Sequence, residues 1–372
     1  MRAVVAMSGG VDSSVAALLS VRAGYEVVGV ALQLWDHSQV DENLFGTCCS
    51  PDDLHDARRV CDDLGIPFYV IDSQSDFREK VVDGFIASYS RGLTPSPCIH
   101  CNNRVKFARL LDLADEFGGA RLVTGHYARI EGREHGGFRL LRGIDRRKDQ
   151  SYFLFNLSQD DLARIDFPLG GLFKQDVREL ARKHGLPTAS KHESQELCFV
   201  PDGDYAAFLE KEGLEARPGE IVNEKGEIMG YHKGIHRYTI GQRRGLGIAA
   251  PHPLFVLDLD HARNRVIVGE NKRVFSSSLV ARNVCWVNGN PEKEVQARIR
   301  YGAEPAAARV RDLGDGSWKV EFRKPQRAVT PGQAVVFYRD EEVVGGGWIE
   351  RDDRADIQEA HHGKDGQVVF EV

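Results

Sequence analysis

Residues 4–14 read Val4-Val5-Ala6-Met7-Ser8-Gly9-Gly10-Val11-Asp12-Ser13-Ser14: an apolar strand, a glycine-rich turn and the start of a helix. The strand is expected over Val4 to Met7. The helix is expected from Val11 to about Ala23, with Val11, Val15, Leu18 and Leu19 at helical spacing. Two adjacent glycines let a backbone turn tightly and bring its N–H groups against an anion. The helix start adds unpaired N–H groups and the positive end of its dipole. Three serine hydroxyls and one carboxylate surround that nest. Asp12 would repel a bare phosphate, so it is expected to face a bound Mg²⁺ or to cap the helix. The Gly-Lys-Ser/Thr ending of a Walker A loop is absent, so the turn reads as a nucleotide site of another type.

Outward from this turn the chain alternates strand and helix. Strands are expected at Glu26 to Trp35, Pro67 to Ile71 and Ala120 to Thr124. Helices are expected at Pro51 to Leu64, Phe77 to Ser90 and Arg104 to Phe117. This is the pattern of an α/β doubly wound parallel sheet, whose ligand sits at the carboxyl ends of the strands. A hairpin follows over Ala128 to Ile144, turning at Gly136-Gly137. Short helices are expected at Gln175 to His184 and Asp204 to Glu212. From Pro218 the texture is all-β. Turns are expected at Asn223 to Gly226, Asn288 to Asn290, Asp312 to Gly316 and Gly345-Gly346-Gly347, and a solvated loop at Glu350 to Asp365. The expected division is a catalytic domain over 1–205, a small β-rich central domain over 206–275 and a C-terminal β-barrel over 276–372.

The chain has 372 residues, enough for two or three domains, and a net charge of −6 that argues weakly against a nucleic-acid partner. Seven cysteines, odd in number and unevenly spaced, do not form a disulfide framework and point to the reducing cytoplasm. No apolar run has the length of a membrane span, and the first residues do not read as a signal peptide.

Two prolines in Thr94-Pro95-Ser96-Pro97-Cys98-Ile99-His100-Cys101-Asn102-Asn103 are expected to exclude helix as far as the asparagines, one of which would cap a helix beginning near Arg104. Cys101 would then lie at a helix N-terminus near Arg104 and Lys106, a setting that favours thiolate. A structural zinc is disfavoured because the chain has no second Cys-x-x-Cys pair. Cys198, in Ser194-Gln195-Glu196-Leu197-Cys198-Phe199, reads on its own as a small buried residue, as do Cys61 and Cys285. Cys48 and Cys49 follow Gly46-Thr47 in a loop, with an open role.

The loop SGGVDSS resembles the pyrophosphate loop of the ATP pyrophosphatases, which split ATP between the α and β phosphates. Over nearly its full length the chain resembles the bacterial tRNA-specific 2-thiouridylase (MnmA) family. The resemblance rests on AMSGGVDSSVAA, DARRVCDDLGIPFYVID, LTPSPCIHCNNRVKF, LVTGHYARI, RRKDQSYFLFNL, ESQELCFVPDGDY and HKGIHRYTIGQRRGLGI, in that order. It implies an enzyme, a sulfurtransferase that adenylates the C2 oxygen of a tRNA wobble uridine with ATP and Mg²⁺ and replaces that oxygen with sulfur. By match, Cys101 is the nucleophile and Cys198 the persulfide carrier, and the two finish as a disulfide. Ala6, Met7, Ser8, Gly9, Gly10, Val11, Asp12, Ser13, Leu32 and Gly125 are matched to ATP. Ser96, Pro97, Cys98, Lys148, Asp149, Gln150, Arg300 and Tyr301 are matched to tRNA. The implied partners are tRNA and a sulfur donor, such as a cysteine desulfurase or a sulfur-relay protein.

Many members carry Asp where this chain has Cys98. Cys98, Cys101 and Cys198 could therefore hold a [4Fe–4S] cluster with one open iron. The persulfide route is preferred and the cluster route stays open, as does an ATP-dependent ligase or amidotransferase acting on a small molecule. The acid-free stretch Tyr231 to Leu257, with Lys233, Arg237, Arg243, Arg244, His232, His236 and Tyr238, suits phosphate contact and base stacking.

Overall fold

The computed structural model describes residues 1–35, 50–191, 197–200 and 203–351. Its first seven strands are β1 (Arg2–Ala6), β2 (Glu26–Gln33), β3 (Phe68–Asp72), β4 (Arg121–Val123), β5 (Ala128–Gly132), β6 (Phe138–Arg142) and β7 (Ile165–Asp166). Five of them pair in parallel in the order β3-β2-β1-β4-β7. Both faces are covered, so the strands carry apolar residues at successive positions. Val4, Val30 and Leu32 face one core, while Ala3, Val5 and Met7 face the other. The main helices are α1 (Val11–Arg22), α2 (Pro51–Leu64), α3 (residues 74–90), α4 (residues 97–116), α5 (Lys174–Lys183) and α6 (Tyr205–Lys211). In α3 and α4 a π-helical turn, at Arg78–Val82 and Asn102–Phe107, interrupts the α-helix. The ends of α2 follow local chemistry: Ser50 and Asp53 form a capping box, Pro51 opens the helix and Gly65 closes it at φ 67°.

The central sheet comprises β8 (Gly219–Asn223), β9 (Ile228–His232), β10 (Phe255–Asp260) and β11 (Arg265–Gly269), in the order β10-β11-β8-β9. The last strands are β12 (Phe275–Trp286), β13 (Glu294–Arg298), β14 (Ala306–Asp312), β15 (Ser317–Arg327), β16 (Ala334–Arg339) and β17 (Glu342–Glu350). They run β12-β15-β14-β13-β16-β17, and β12 pairs with β17 to close the barrel. Gly345-Gly346-Gly347, expected as a turn, lies inside β17. A Cβ at Gly345 would sit 2.4 Å from the carbonyl oxygen of Cys285, and one at Gly347 would sit 2.7 Å from Val284. These glycines therefore answer a close approach at the barrel seam.

The hairpin β5–β6 turns at Gly136-Gly137 and is hydrogen-bonded to the barrel, with Leu141 opposite Glu342 and Leu140 opposite Val343. One sheet therefore crosses from the N-terminal half into the barrel. The apolar core crosses too: Ala334, Val336, Tyr338 and Val343 share a cluster with Leu32, Tyr152 and Leu154.

Asp149 sits at this junction with a side chain that is 0% exposed. Its carboxylate accepts from Arg142 Nε (3.0 Å), Arg298 Nη1 (3.2 Å) and the N–H groups of Gly143 (3.2 Å) and Ser151 (3.1 Å). Asp149, matched to tRNA contact by resemblance, is thus buried at the junction beneath the barrel's Arg298. Removing one member of a buried ion pair strands the other charges at a cost of about 3–5 kcal/mol. Asp149→Ala is expected to lose that much unfolding free energy in urea titrations, and a loss below about 1 kcal/mol would contradict the junction's role.

Candidate functional site

The turn after β1 is built as its glycines require. Gly9 has φ +69°, and a Cβ there would lie 2.2 Å from the carbonyl oxygen of Asp53 at the start of α2. Gly10 is the N-cap of α1 without a side-chain cap bond. Two serines knit the turn. Ser13 Oγ donates to Gly10 O (3.0 Å) and accepts from Ser8 N (3.2 Å), and Ser14 Oγ donates to Gly10 O (2.9 Å). Both are buried, and of the three serines only Ser8 is exposed. The Val11 side chain lies in the core behind the turn.

Asp12 neither caps the helix nor stands alone before the turn. Tyr127 Oη donates to it at 2.8 Å, and Lys174 Nζ at 2.8 and 2.7 Å to its two oxygens. Lys174 is buried at the first position of α5, and its ammonium lies 5.7 Å from the centre of the Tyr127 ring. Sequence reading misses Lys174, because the pairing spans 162 positions and a lysine at a helix start carries no local signal. Gly125 is required by the protein itself: a Cβ there would lie 2.9 Å from the backbone of Asp12 and Ser13.

A cavity of about 220 Å³ opens between this turn and the ends of β1 and β2. Met7, Val30, Leu32, Leu34, Phe107 and Leu110 supply apolar walls, and Ser8, Asp12, Ser13, Lys106, Thr124 and Gln150 supply polar ones. Leu32 is thus both core and lining. Thr124 Oγ1 lies 2.7 Å from His126 Nδ1. Burial, aided by nearby Lys106, pushes the His126 pKa down to about 3, so its ring is neutral at pH 7. An apolar slot ending at a helix N-terminus with a nearby ammonium suits a flat heterocycle bearing phosphates.

The expected start of α4 is corrected. Ser96 is the N-cap and Pro97 the first helical residue. Proline is well tolerated there, since its missing N–H would have had no intrahelical partner. Cys98 is therefore in the first turn and exposed. Cys101 lies one turn later, 5% exposed, away from the helix N-terminus. Cys101 belongs to the same apolar cluster as Leu32 and Ile99, and Cys198 packs against that cluster. Beside Cys198, Phe199 is held among Trp35, Phe77, Phe85 and Phe208 at centroid distances of 5.2–6.4 Å. Among the described residues no group of three or more His, Cys, Asp or Glu side chains is placed to hold a metal ion. Burial pushes the Cys61 thiol up to about 12 and Cys285 to about 11, as inert core residues require. Cys48, Cys49, Ser194, Gln195, Glu196 and most of the loop expected at Glu350 to Asp365 lie outside the described residues.

On the barrel, Arg300 and Tyr301 are exposed. The Tyr301 ring rests 4.6 Å from Phe153, and the buried Arg298 guanidinium lies 5.4 Å from Tyr301 and 5.6 Å from Tyr152. Lys148 is half-buried, Gln150 accepts from Tyr127 N (3.0 Å), and Ser96 and Pro97 are buried. In the basic stretch of the central domain, His232, His236 and Tyr238 are core residues, and Arg237 pairs with Glu210 at 2.6 Å. Tyr231, Lys233, Arg243 and Arg244 remain exposed.

Family models match three consecutive segments: the tRNA methyl transferase HUP domain at residues 1–202, the tRNA methyl transferase PRC-barrel domain at 206–270 and the aminomethyltransferase β-barrel domain at 276–349. The tRNA-specific 2-thiouridylase MnmA of Geobacter metallireducens is 53% identical, covering 94% of this chain and 96% of the relative. That of Geotalea uraniireducens is 50% identical, covering 94% and 95%. That of Carboxydothermus hydrogenoformans is 51% identical, covering 94% and 98%.

His100 gives the site a pH dependence. Burial, with Arg104 nearby, lowers its pKa from 6.5 to about 4. A histidine kept neutral by folding has no effect well above its unfolded pKa. As pH falls, the unfolded chain takes up the proton first, so stability declines from about pH 6.5 to about pH 4. Urea midpoints are expected to fall across that window, and His100→Gln to flatten the decline. A profile identical to the parent's would contradict the assignment.

Proposed function

Because the chain belongs to the MnmA family of tRNA-specific 2-thiouridylases, we propose that its cavity binds ATP and that α4 presents the thiol chemistry beside it. The observation that carries this reading is that one helix does both: Lys106, Phe107 and Leu110 line the cavity, while Cys98 in the first turn and Cys101 one turn later belong to the same helix. The uridine C2 oxygen attacks the α phosphorus of ATP and expels pyrophosphate, which the N–H groups of the SGGVDSS turn receive. Uridylate C2 then carries AMP as its leaving group. Cys198 holds the transferable sulfur as a persulfide, loaded by a desulfurase or relay protein. The Cys101 thiolate attacks the Cys198 sulfur, a Cys101–Cys198 disulfide forms, and hydrosulfide is released. Hydrosulfide adds at C2 and AMP departs, giving 2-thiouridine and a disulfide that an external thiol must reduce.

Lys174 and Tyr127 already satisfy Asp12, so Asp12 fits the role of holding the Lys174 ammonium beside the phosphates better than that of a lone Mg²⁺ ligand. If the ion enters with the nucleotide, its charge is shared mainly with the phosphates. Arg300, Tyr301, Lys148, Arg243 and Arg244 are proposed to meet tRNA, with the exposed Tyr301 ring available for stacking.

The reading is tested by incubating the protein with ATP, a persulfide donor and bulk tRNA lacking 2-thiouridine. Pyrophosphate release should require tRNA, and nucleoside mass spectrometry should show 2-thiouridine; tRNA-independent turnover would favour a small-molecule ligase. Asp12→Ala should abolish ATP-to-AMP turnover and leave tRNA affinity within about twofold, whereas unchanged pyrophosphate release would remove Asp12 from the site. Removing Arg243 and Arg244 together should weaken tRNA binding and flatten its salt slope by about one to two units. A slope equal to the parent's would assign both arginines to another role.

A further inference from the structure

The barrel grips the segment that carries the cysteines. Its Pro331-Gly332-Gln333 turn lies against Leu93 to Ser96. Gln333 Nε2 donates to the carbonyl oxygens of Thr94 (2.9 Å) and Pro95 (3.1 Å), and its Oε1 accepts from Ser96 Oγ (3.2 Å). Thr94 N donates to Pro331 O at 2.9 Å. Gly332 has φ +91°, and a Cβ there would lie 2.9 Å from Leu93 and 3.0 Å from the Thr94 backbone. One turn into α4, His100 stacks on Trp348 of β17 with centroids 4.4 Å apart and planes 8° apart. The two contacts form one unit, since Ala334 pairs with Trp348 and Ile349 N donates to Gln333 O at 2.8 Å.

We infer that Gln333 and Trp348 are positioning residues for sulfur transfer: the barrel sets the place and orientation of Cys98 and Cys101, in addition to any contact it makes with tRNA. Three facts carry this. Pro95 has no N–H to anchor its own turn, so the segment before α4 depends on outside donors, and Gln333 supplies two of them. Ser96, the N-cap of α4, makes no cap bond; its hydroxyl is turned to Gln333 instead. The His100 ring, kept neutral, stacks flat on an indole and so fixes the rotation of α4 about its axis at the turn between Cys98 and Cys101. A sulfur nucleophile displaced by about 1 Å loses as much as a hundredfold in rate, so a grip of this kind acts on the chemical step.

The inference rests on the thiolation reading above, and its test keeps the two separable. Gln333→Ala is measured for 2-thiouridine formation, tRNA-dependent pyrophosphate release and iodoacetamide alkylation of Cys98 and Cys101, followed by peptide mass spectrometry. The thiolation kcat is expected to fall at least about tenfold with the tRNA KM within about twofold, and the ratio of Cys98 to Cys101 alkylation to change at least about threefold. Trp348→Leu should do the same, and Trp348→Phe, which keeps a flat ring under His100, should recover most of the loss. Unchanged kcat and alkylation in Gln333→Ala would overturn the inference. So would a kcat loss matched by pyrophosphate release with an unaltered alkylation ratio, because that pattern belongs to general destabilisation. If Gln333→Ala does not fold, the Trp348 pair decides: equal activity of Leu and Phe overturns the inference. If the parent makes no 2-thiouridine, the thiolation reading fails, and the alkylation ratio still reports whether the barrel positions the cysteines.

Discussion

Two residue pairs, Leu141 with Glu342 and Leu140 with Val343, join a hairpin of the N-terminal half to the last strand of the barrel. Most of the site depends on this seam. It brings Arg298 onto Asp149, Tyr152 Oη onto Ala334 O at 2.9 Å, and the turn at Gln333 onto the segment before Cys98. Backbone ladder bonds make the seam stiff, and the shared apolar core behind it excludes the water that would loosen an ion pair.

The cavity is arranged around a second constraint, the tight approach of three backbones. Gly9 sits on Asp53 and Gly125 sits on Asp12 and Ser13, so the turn after β1 is clasped from both sides before any ligand arrives. Preorganised N–H groups lose little on meeting phosphate, which is where such a site draws its affinity. Asp12, Tyr127 and Lys174 complete this arrangement from three separate parts of the chain.

What was legible in the sequence was local. The order of strands and helices, the ends of α2 and the Gly136-Gly137 hairpin follow from capping, periodicity and turn chemistry acting within a few residues. The errors came where a residue type has two uses. Pro97 opens a helix where prolines were expected to exclude one, which moves Cys101 away from the helix start. Gly345-Gly346-Gly347 serves close packing inside a strand. Lys174 and the burial of Asp149 were invisible, because their partners lie 162 and 149 positions away and nothing near either residue marks the pairing. Leu32, matched to ATP by resemblance, belongs to the apolar core and also lines the cavity.

The seam has a consequence for biosynthesis. About 200 residues separate Leu141 from its partner strand, so at about 5–20 residues per second β6 emerges tens of seconds before β17 exists to cover it. Through that interval the nascent chain shows an open strand edge beside an apolar face, the kind of surface on which neighbouring chains aggregate. Arg129, Glu131, Arg133 and Arg139 lie along this hairpin. In the finished protein Arg129 and Arg133 pair with Glu341 and Glu342 of the barrel. On the ribosome the same charges would stand unmet by the barrel and keep the hairpin soluble until its last strand arrives.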